Sequence, residues 1–299
     1  MTTYSVNTLS QLPPPEFVEA FSVEDIFQQR LAELRQLDPQ LADNLRVGDP
    51  TYNNLLQGAI REAKLRQRIN EAGKAILPAY AKNSDLDQLG ALYYVFRQVV
   101  DPGDPGATPP IDPIMEEDER FLERIMLSME GQTNAGTEGF YRFHALSSDA
   151  DVLNSAEKSP TPGQVLISIL SRIGDGTAST ALLDRVRTYM LNPEVRQMTD
   201  ELIIQSVTVS TYRIEAVLTL EPGPTAGLAL EEARAKAQEY VSLMHRKMAV
   251  VSVSGIYAAL QQPGVVSVNL TSPLANINPG DTGTAYCSAI ELSSVVANG

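Results

Sequence analysis

Tyr212-Arg213-Ile214-Glu215-Ala216-Val217-Leu218-Thr219-Leu220 decides the fold. Tyr212, Ile214, Ala216, Leu218 and Leu220 alternate against Arg213, Glu215 and Thr219, the period of a strand with one buried face. Some ten residues on, Leu230, Ala233, Ala237, Tyr240, Met244 and Met248 step by three or four. That spacing predicts an amphipathic helix. A second helix is expected from a cap at Ser254 to Pro263-Gly264, and strands over Val265–Leu270 and Thr284–Leu292 close the unit. Leu182, Val186 and Met190 mark a helix before the strand, and Leu202–Val209 reads as strand continuing into it, one long bent strand. Residues 178–299 are therefore expected to form a two-layer α/β domain.

Upstream the pattern changes. Pro13-Pro14-Pro15 suits an extended arm, not a helix interior. Ser22 with Asp25 three residues later is a helix-start signature, and Ile26, Leu31, Leu34 and Leu37 follow at helical spacing before Asp38-Pro39. A longer helix is predicted over Tyr52–Leu77 with two apolar stripes. One holds Leu56, Ile60 and Ala63, the other Leu65, Ile69, Ala72 and Ile76, so the helix packs on more than one side. Arg61, Arg66 and Arg68 on the same helix are expected to meet carboxylates. Residues 1–100 thus read as a helical region. Residues 101–113 hold five prolines and two glycines, the composition of a linker or rigid loop. Beyond it an acidic helix is expected, with Phe121, Ile125 and Met129 inward and Glu116, Glu117, Asp118, Glu119 and Glu123 toward its start. A short helix over Phe140–Ser147 and a strand over Val165–Leu170 complete a small mixed middle domain, 101–177. The fold class is α+β.

Composition removes several functions. The 299 residues carry 23 Lys+Arg against 37 Asp+Glu, a net charge of −14. That field repels phosphate backbones and anionic lipid, so neither nucleic acid nor membrane insertion is expected. Two histidines and one cysteine, Cys287, cannot build a His/Cys metal cage or an internal disulfide. Trp is absent and aromatics are 6%, which disfavours a sugar or base platform.

The individual motifs are weak. Gly174-Asp175-Gly176-Thr177 sits where a phosphate loop would, yet lacks the third glycine and the lysine, so a turn with Thr177 or Ser179 capping the next helix is expected. Asp149, Asp151, Asn154 and Ser155 miss calcium-loop spacing. His144 and His245 read as structural, and Cys287 as a small buried residue. Glu116/Glu117 is a carboxylate pair of the kind a glycosidase uses, but neighbouring helix positions diverge by about 100°. No cofactor is expected.

Stretches spread along the chain form a recognisable order. They include Ser10–Pro15, Asp49-Pro50, Leu55-Leu56-Gln57, Arg61-Glu62, Leu65–Ala72 and Ala79–Gly90. Further on come Glu116–Arg124, Ala135-Gly136, Tyr141–Leu146, Ser159–Val165, Gly174-Asp175-Gly176 and Val195–Asp200. In these the chain resembles the baseplate J-like family of contractile phage tails and R-type bacteriocins (tailocins). Asn83 stands where that family usually has glycine, and the turn is expected to survive because asparagine tolerates a left-handed backbone. Gln197-Met198-Thr199-Asp200 departs slightly from the family's Pro-Leu-Thr-Asp.

The resemblance implies a structural, non-enzymatic wedge protein that assembles in the bacterial host cytoplasm and resides in the baseplate. Its implied partners are an I-like wedge protein, a second copy of itself, a lysozyme-like wedge protein and the central spike or hub. Wedges would ring the spike and relay the contraction trigger. The expected assembly interface comprises Leu56, Ile60, Leu65, Arg66, Ile69, Leu86, Asp87 and Leu89. Two other readings are a tail-associated cell-wall hydrolase, with Glu116 or Glu117 as its acid, and a baseplate component of a related secretion system.

Overall fold

A computed structural model describes residues 15–133, 135–223 and 226–297; Pro13 and Pro14 of the expected arm lie outside them. The chain divides into two compact units, residues 1–97 with 117–125, and residues 98–116 with 126–299. Helices and strands mix throughout, as expected of an α+β protein.

In the first unit, α1 (Val23–Leu37) starts where expected: the Ser22 hydroxyl accepts the Asp25 N–H at 3.0 Å. Asp38 ends α1 and caps the short α2 (Pro39–Asn44), accepting the Leu41 N–H at 2.9 Å. α3 (Pro50–Ala75) opens on a proline, whose missing N–H costs nothing at a first turn. Ile26 and Phe27 of α1 pack on Ala59 and Ala63 of α3, with Leu31, Tyr52, Leu55 and Leu56 at the rim. The last turn of α1 runs past this seam, which leaves Leu37 at 85% exposure despite its helical spacing. Small residues let the backbones approach: a Cβ on Gly58 would lie 2.6 Å from Arg30 Nη1, and one on Gly73 would enter the Phe17 ring. α4 (Asn83–Leu92) follows a turn in which Asn83 adopts φ +49°, the left-handed conformation expected there.

In the second unit, residues 98–116 double back as a hairpin. β1 (Val99–Asp101) pairs antiparallel with β2 (Ile114–Met115), and an Asp104–Ile111 bridge lies nearer the tip. The Pro-rich stretch is thus an ordered excursion, not an open connector. α5 (Asp118–Gly131) begins in the first unit, where it buries Phe121 and Ile125; in its later half, which belongs to the second unit, Met129 is exposed. Each four-residue step rotates about 40°, so by the second step the side chain has left the buried face.

α6 (Glu138–Ser148) and α7 (Thr180–Met190) cover a sheet in which β4 (Gln164–Ser171) runs antiparallel to β3 (Val152–Lys158) and parallel to β5 (Glu201–Ser206). Phe140, Tyr141, Leu146, Ile167, Ile169, Leu182, Val186, Met190 and Ile204 share this core. The boundary expected at 177/178 therefore falls between elements of one core.

β6 (Thr208–Leu220) belongs to a different sheet, of order β7-β6-β8. Leu202–Val209 is consequently not the start of one bent strand. Val207 separates two strands that serve two sheets, its N–H donating to Ile169 O at 3.1 Å. β7 (Val265–Ser272) is antiparallel to β6 and β8 (Gly283–Val296) is parallel to it. All five apolar residues of the alternating stretch are buried, under α8 (Ala226–Arg246) and α9 (Val253–Leu260). The deep face of α8 is Ala229, Ala233, Ala237 and Val241, with Leu230, Tyr240 and Met244 at its margins. Met248 lies past the helix end at φ +52°. α9 is capped by Ser252, which accepts the Gly255 N–H at 3.0 Å, two residues before the expected Ser254. No described helix is long and apolar enough to cross a membrane.

Candidate assembly interface

α3 carries two chemically distinct faces. The face toward α1 is small and closed, built on Ala59 and Ala63. Leu65, Ile69, Ala72 and Ile76 project elsewhere; successive members lie within about 60° of one another around the axis. Leu65 is 65% exposed, Ile69 64% and Ile76 69%. Three large aliphatic side chains spread over about three turns, Leu65 and Ile69 on α3 and Ile76 at its C-cap, thus meet solvent in the isolated chain, while Leu56 and Ala63 of the other stripe pack against α1.

The remaining expected interface residues divide. Leu56 is half-buried at the α1 seam, whereas Ile60 is exposed. Leu86 is 1% exposed and so belongs to the interior of the first unit, with Leu89 half-buried beside it in α4. Arg66 donates to Glu62 at 2.7 Å and to Glu19 at 3.2 Å. Arg30 donates to the other Glu62 oxygen at 2.9 Å. The two guanidinium hydrogen bonds, Arg30 first and Arg66 second, hold the Glu62 carboxyl below its usual range. Arg66 is thereby an internal fastener of the α1–α3 pair.

Asp87 has a similar role. It accepts from Arg97 Nε at 2.8 Å, while Arg97 Nη2 reaches Asp118 at 2.8 Å and the guanidinium lies over the Phe121 ring, 4.7 Å from its centroid. This clamp fixes the segment leaving α4. There Val95 turns inward, and Tyr94 and Phe96 on either side of it are strongly exposed, as is Leu92. Sequence reasoning overlooked this apolar group; its signal was the alternation Tyr94-Val95-Phe96 with no polar residue on the outward side.

The weak motifs resolve into structure. In the Gly174–Thr177 turn, Asp175 accepts the Thr177 N–H at 3.0 Å, and Ser179 caps α7 by accepting the Leu182 N–H at 3.2 Å. A Cβ on Gly176 (φ +95°) would stand 2.4 Å from Leu170 Cδ1 and 2.9 Å from His245 Cε1. Glycine is therefore required for packing as well as for its backbone. Arg185 engages Asp149 and Asp151 at 2.5 and 3.2 Å, and Asn154 donates to Arg246 O at 2.8 Å. His144 sits between Tyr189 Oη and Gly131 O, at 3.3 and 3.1 Å, and burial lowers its pKa. His245 Nδ1 lies 3.0 Å from Ala285 O. Cys287 is half-buried on β8, its thiol donating to Ala289 O and pushed up in pKa by burial.

Glu116 is buried and accepts the Gln98 N–H at 3.1 Å, whereas Glu117 is exposed. Neither the burial nor the partner of Glu116 suits an acid presented to a large polymer. Among the described residues there is no cluster of three or more His, Cys, Asp or Glu that would hold a metal ion.

The Baseplate J-like N-terminal domain model matches residues 48–104, which include α3 and α4, and the Baseplate J-like protein C-terminal domain model matches residues 212–293. The chain is 37% identical over 285 residues to baseplate protein J of Escherichia phage P2, covering 93% of this chain and 94% of that one. The anti-feeding prophage baseplate, solved by cryo-EM and 6-fold symmetrised, aligns with a TM-score of 0.41 at 14% identity, over 61% of this chain and 44% of the other. On the identity and coverage of the phage P2 relative and the two domain matches, this chain belongs to the baseplate J-like family.

Proposed function

We propose that this chain is a structural wedge component of a contractile-tail baseplate, assembled in the host cytoplasm before it enters the particle. The observation that carries the reading is the exposed Leu65–Ile69–Ile76 face, which lies inside the N-terminal domain match. A stripe of that size on one helix is what association with further helices would bury. The partners are an I-like wedge protein and a second copy of this chain, with the lysozyme-like wedge protein and the central spike reached as wedges close into a ring. Asp87, Arg66 and Leu86 support the reading indirectly, because they brace the elements that present the exposed faces.

The chain acts through shape and contact, and the contraction trigger passes as a rearrangement of contacts between chains. Co-expression with the small neighbouring baseplate protein, followed by mass measurement, tests the proposal. The expected result is a complex that forms with the wild-type chain and fails with Leu65→Lys/Ile69→Lys. A monodisperse monomer that ignores the small protein would overturn it.

A further inference from the structure

α3 is a basic helix in an acidic chain. It carries five Lys and Arg against two Glu and no Asp, whereas the whole chain stands at −14. Arg66 is engaged by Glu62 and Glu19, and Lys74 lies over the Tyr80 ring, 5.9 Å from its centroid. The other three cations, Arg61, Lys64 and Arg68, are exposed, and among the described residues none of them has an ion-pair partner.

These cations are placed in register with the outward apolar stripe. Leu65, Ile69, Ala72 and Ile76 follow one another at steps of four, three and four residues. That is the d-a-d-a spacing of a seam that receives a second helix, knobs into holes. In the same heptad frame, Arg61 and Arg68 both fall at g, on one flank of the seam, and Arg66 and Gly73 both fall at e, on the other. The e flank is closed within the chain, because Arg66 is tied to Glu62 and a Cβ on Gly73 would enter the Phe17 ring. The g flank is open, and both of its residues are positive.

Charge selects what can lie there. Another α3 is rejected in either direction: set parallel, g faces e and Arg61 meets Arg66 of the other helix, and set antiparallel, g faces g and Arg61 meets Arg68. Both arrangements press like charges together at the rim of an apolar seam. An extended anionic surface such as nucleic acid or lipid meets the field of the whole acidic chain. A single helix is small enough to answer to the charges within about 10 Å of it, and along this flank those are cations.

We infer that the outward seam of α3 receives one helix of a different protein, apolar at its own a and d positions and carrying Asp or Glu opposite Arg61 and Arg68. This rests on the assembly reading and specifies the chemistry of the partner at that same face. From Arg61 to Ile76 the seam is about 22 Å long, so a helix of roughly fifteen residues covers it. The apolar positions supply the association, and the carboxylates choose the partner, since a helix with cations on that flank is turned away.

The test measures binding of two synthetic peptides to the full-length chain by fluorescence anisotropy. Both are about three heptads long with Leu and Ile at a and d; one has Glu at every e and g position and the other Lys, so like charges keep each from pairing with itself. The acidic peptide is expected to bind about tenfold tighter than the basic one, and Arg61→Glu/Arg68→Glu should reverse the preference with an unchanged circular dichroism spectrum. Lys64→Glu/Lys74→Glu makes the same change in net charge away from the seam and should leave the preference in place. No binding of the acidic peptide, equal binding of both, a preference that survives reversal at 61 and 68, or one that the 64/74 variant abolishes as well overturns the inference. So does tighter binding of duplex DNA or phosphatidylglycerol vesicles through the same two arginines. The assembly reading is scored separately, by co-expression with the small neighbouring baseplate protein. No complex with the wild-type chain sinks that reading, whereas a complex indifferent to Arg61→Glu/Arg68→Glu sinks only the inference about the seam.

Discussion

Arg97 Nε donates to the Asp87 carboxylate at 2.8 Å, and this pair, ten residues apart in sequence, sets where the chain goes after α4. Arg97 is largely buried while Asp87 is half-exposed, so the partners are not equivalent. Arg97→Ala removes the cation from two carboxylates and from the Phe121 ring, and is expected to destabilise by about 3 kcal/mol. Asp87→Ala leaves the Asp118 contact and should cost about 1 kcal/mol. Urea denaturation of both variants checks the order; a larger loss for Asp87→Ala would reverse the assignment of which partner anchors the turn.

The two stripes of α3 should respond oppositely to substitution. Leu65→Lys or Ile69→Lys changes an exposed position and should shift stability by no more than about 0.5 kcal/mol, while abolishing the complex with partner chains. Ala59→Leu inserts volume into the closed α1 seam and should destabilise by about 1–3 kcal/mol. Thermal melts beside pull-downs separate the two behaviours.

His144 is half-buried, and desolvation lowers its pKa from 6.5. The unfolded chain then binds the proton more readily than the fold. Stability is fully present above about pH 6.5 and falls as the pH drops toward the lower folded value. Glu62 acts in the same sense further down: its folded pKa lies below 4.5, so the Arg30–Glu62–Arg66 contribution fades as acid titrates that carboxylate. Denaturation midpoints for wild type and His144→Phe between pH 7.5 and 5 should converge at the acidic end if His144 is responsible.

Ser252 and not Ser254 caps α9. Ser252→Ala should cost about 1 kcal/mol, because the Gly255 N–H loses its acceptor. Ser254→Ala should be close to neutral. Equal effects in a denaturant series would return the helix start to the later serine.

Much of this architecture was readable in the residues. Strict alternation from Tyr212 to Leu220 identified a half-buried strand, and its five apolar side chains are all interior. The two stripes of α3 were visible as two angular families, but spacing alone could not say which would face a neighbour within the chain. The alanines at 59 and 63 decide that, because they permit close approach of α1. The division between β5 and β6 was illegible for a physical reason: strand-like sequence continues through Val207, and the change of sheet depends on the partner strands β4 and β8, far away in sequence. Leu86, Asp87 and Arg66 lay in quoted family stretches, yet their chemistry is internal bracing.

Val207 has one further consequence. Residues on either side of it are committed to different pairings, 206 beside Ile169 and 208 beside Gly283, so no slack exists at the crossing. Removing a single amino acid there would invert β6 and carry Tyr212, Ile214 and Leu218 out into water, or drag β5 one notch along β4. The joint at 207 thus behaves as a fixed frame whose spacing tolerates no indels.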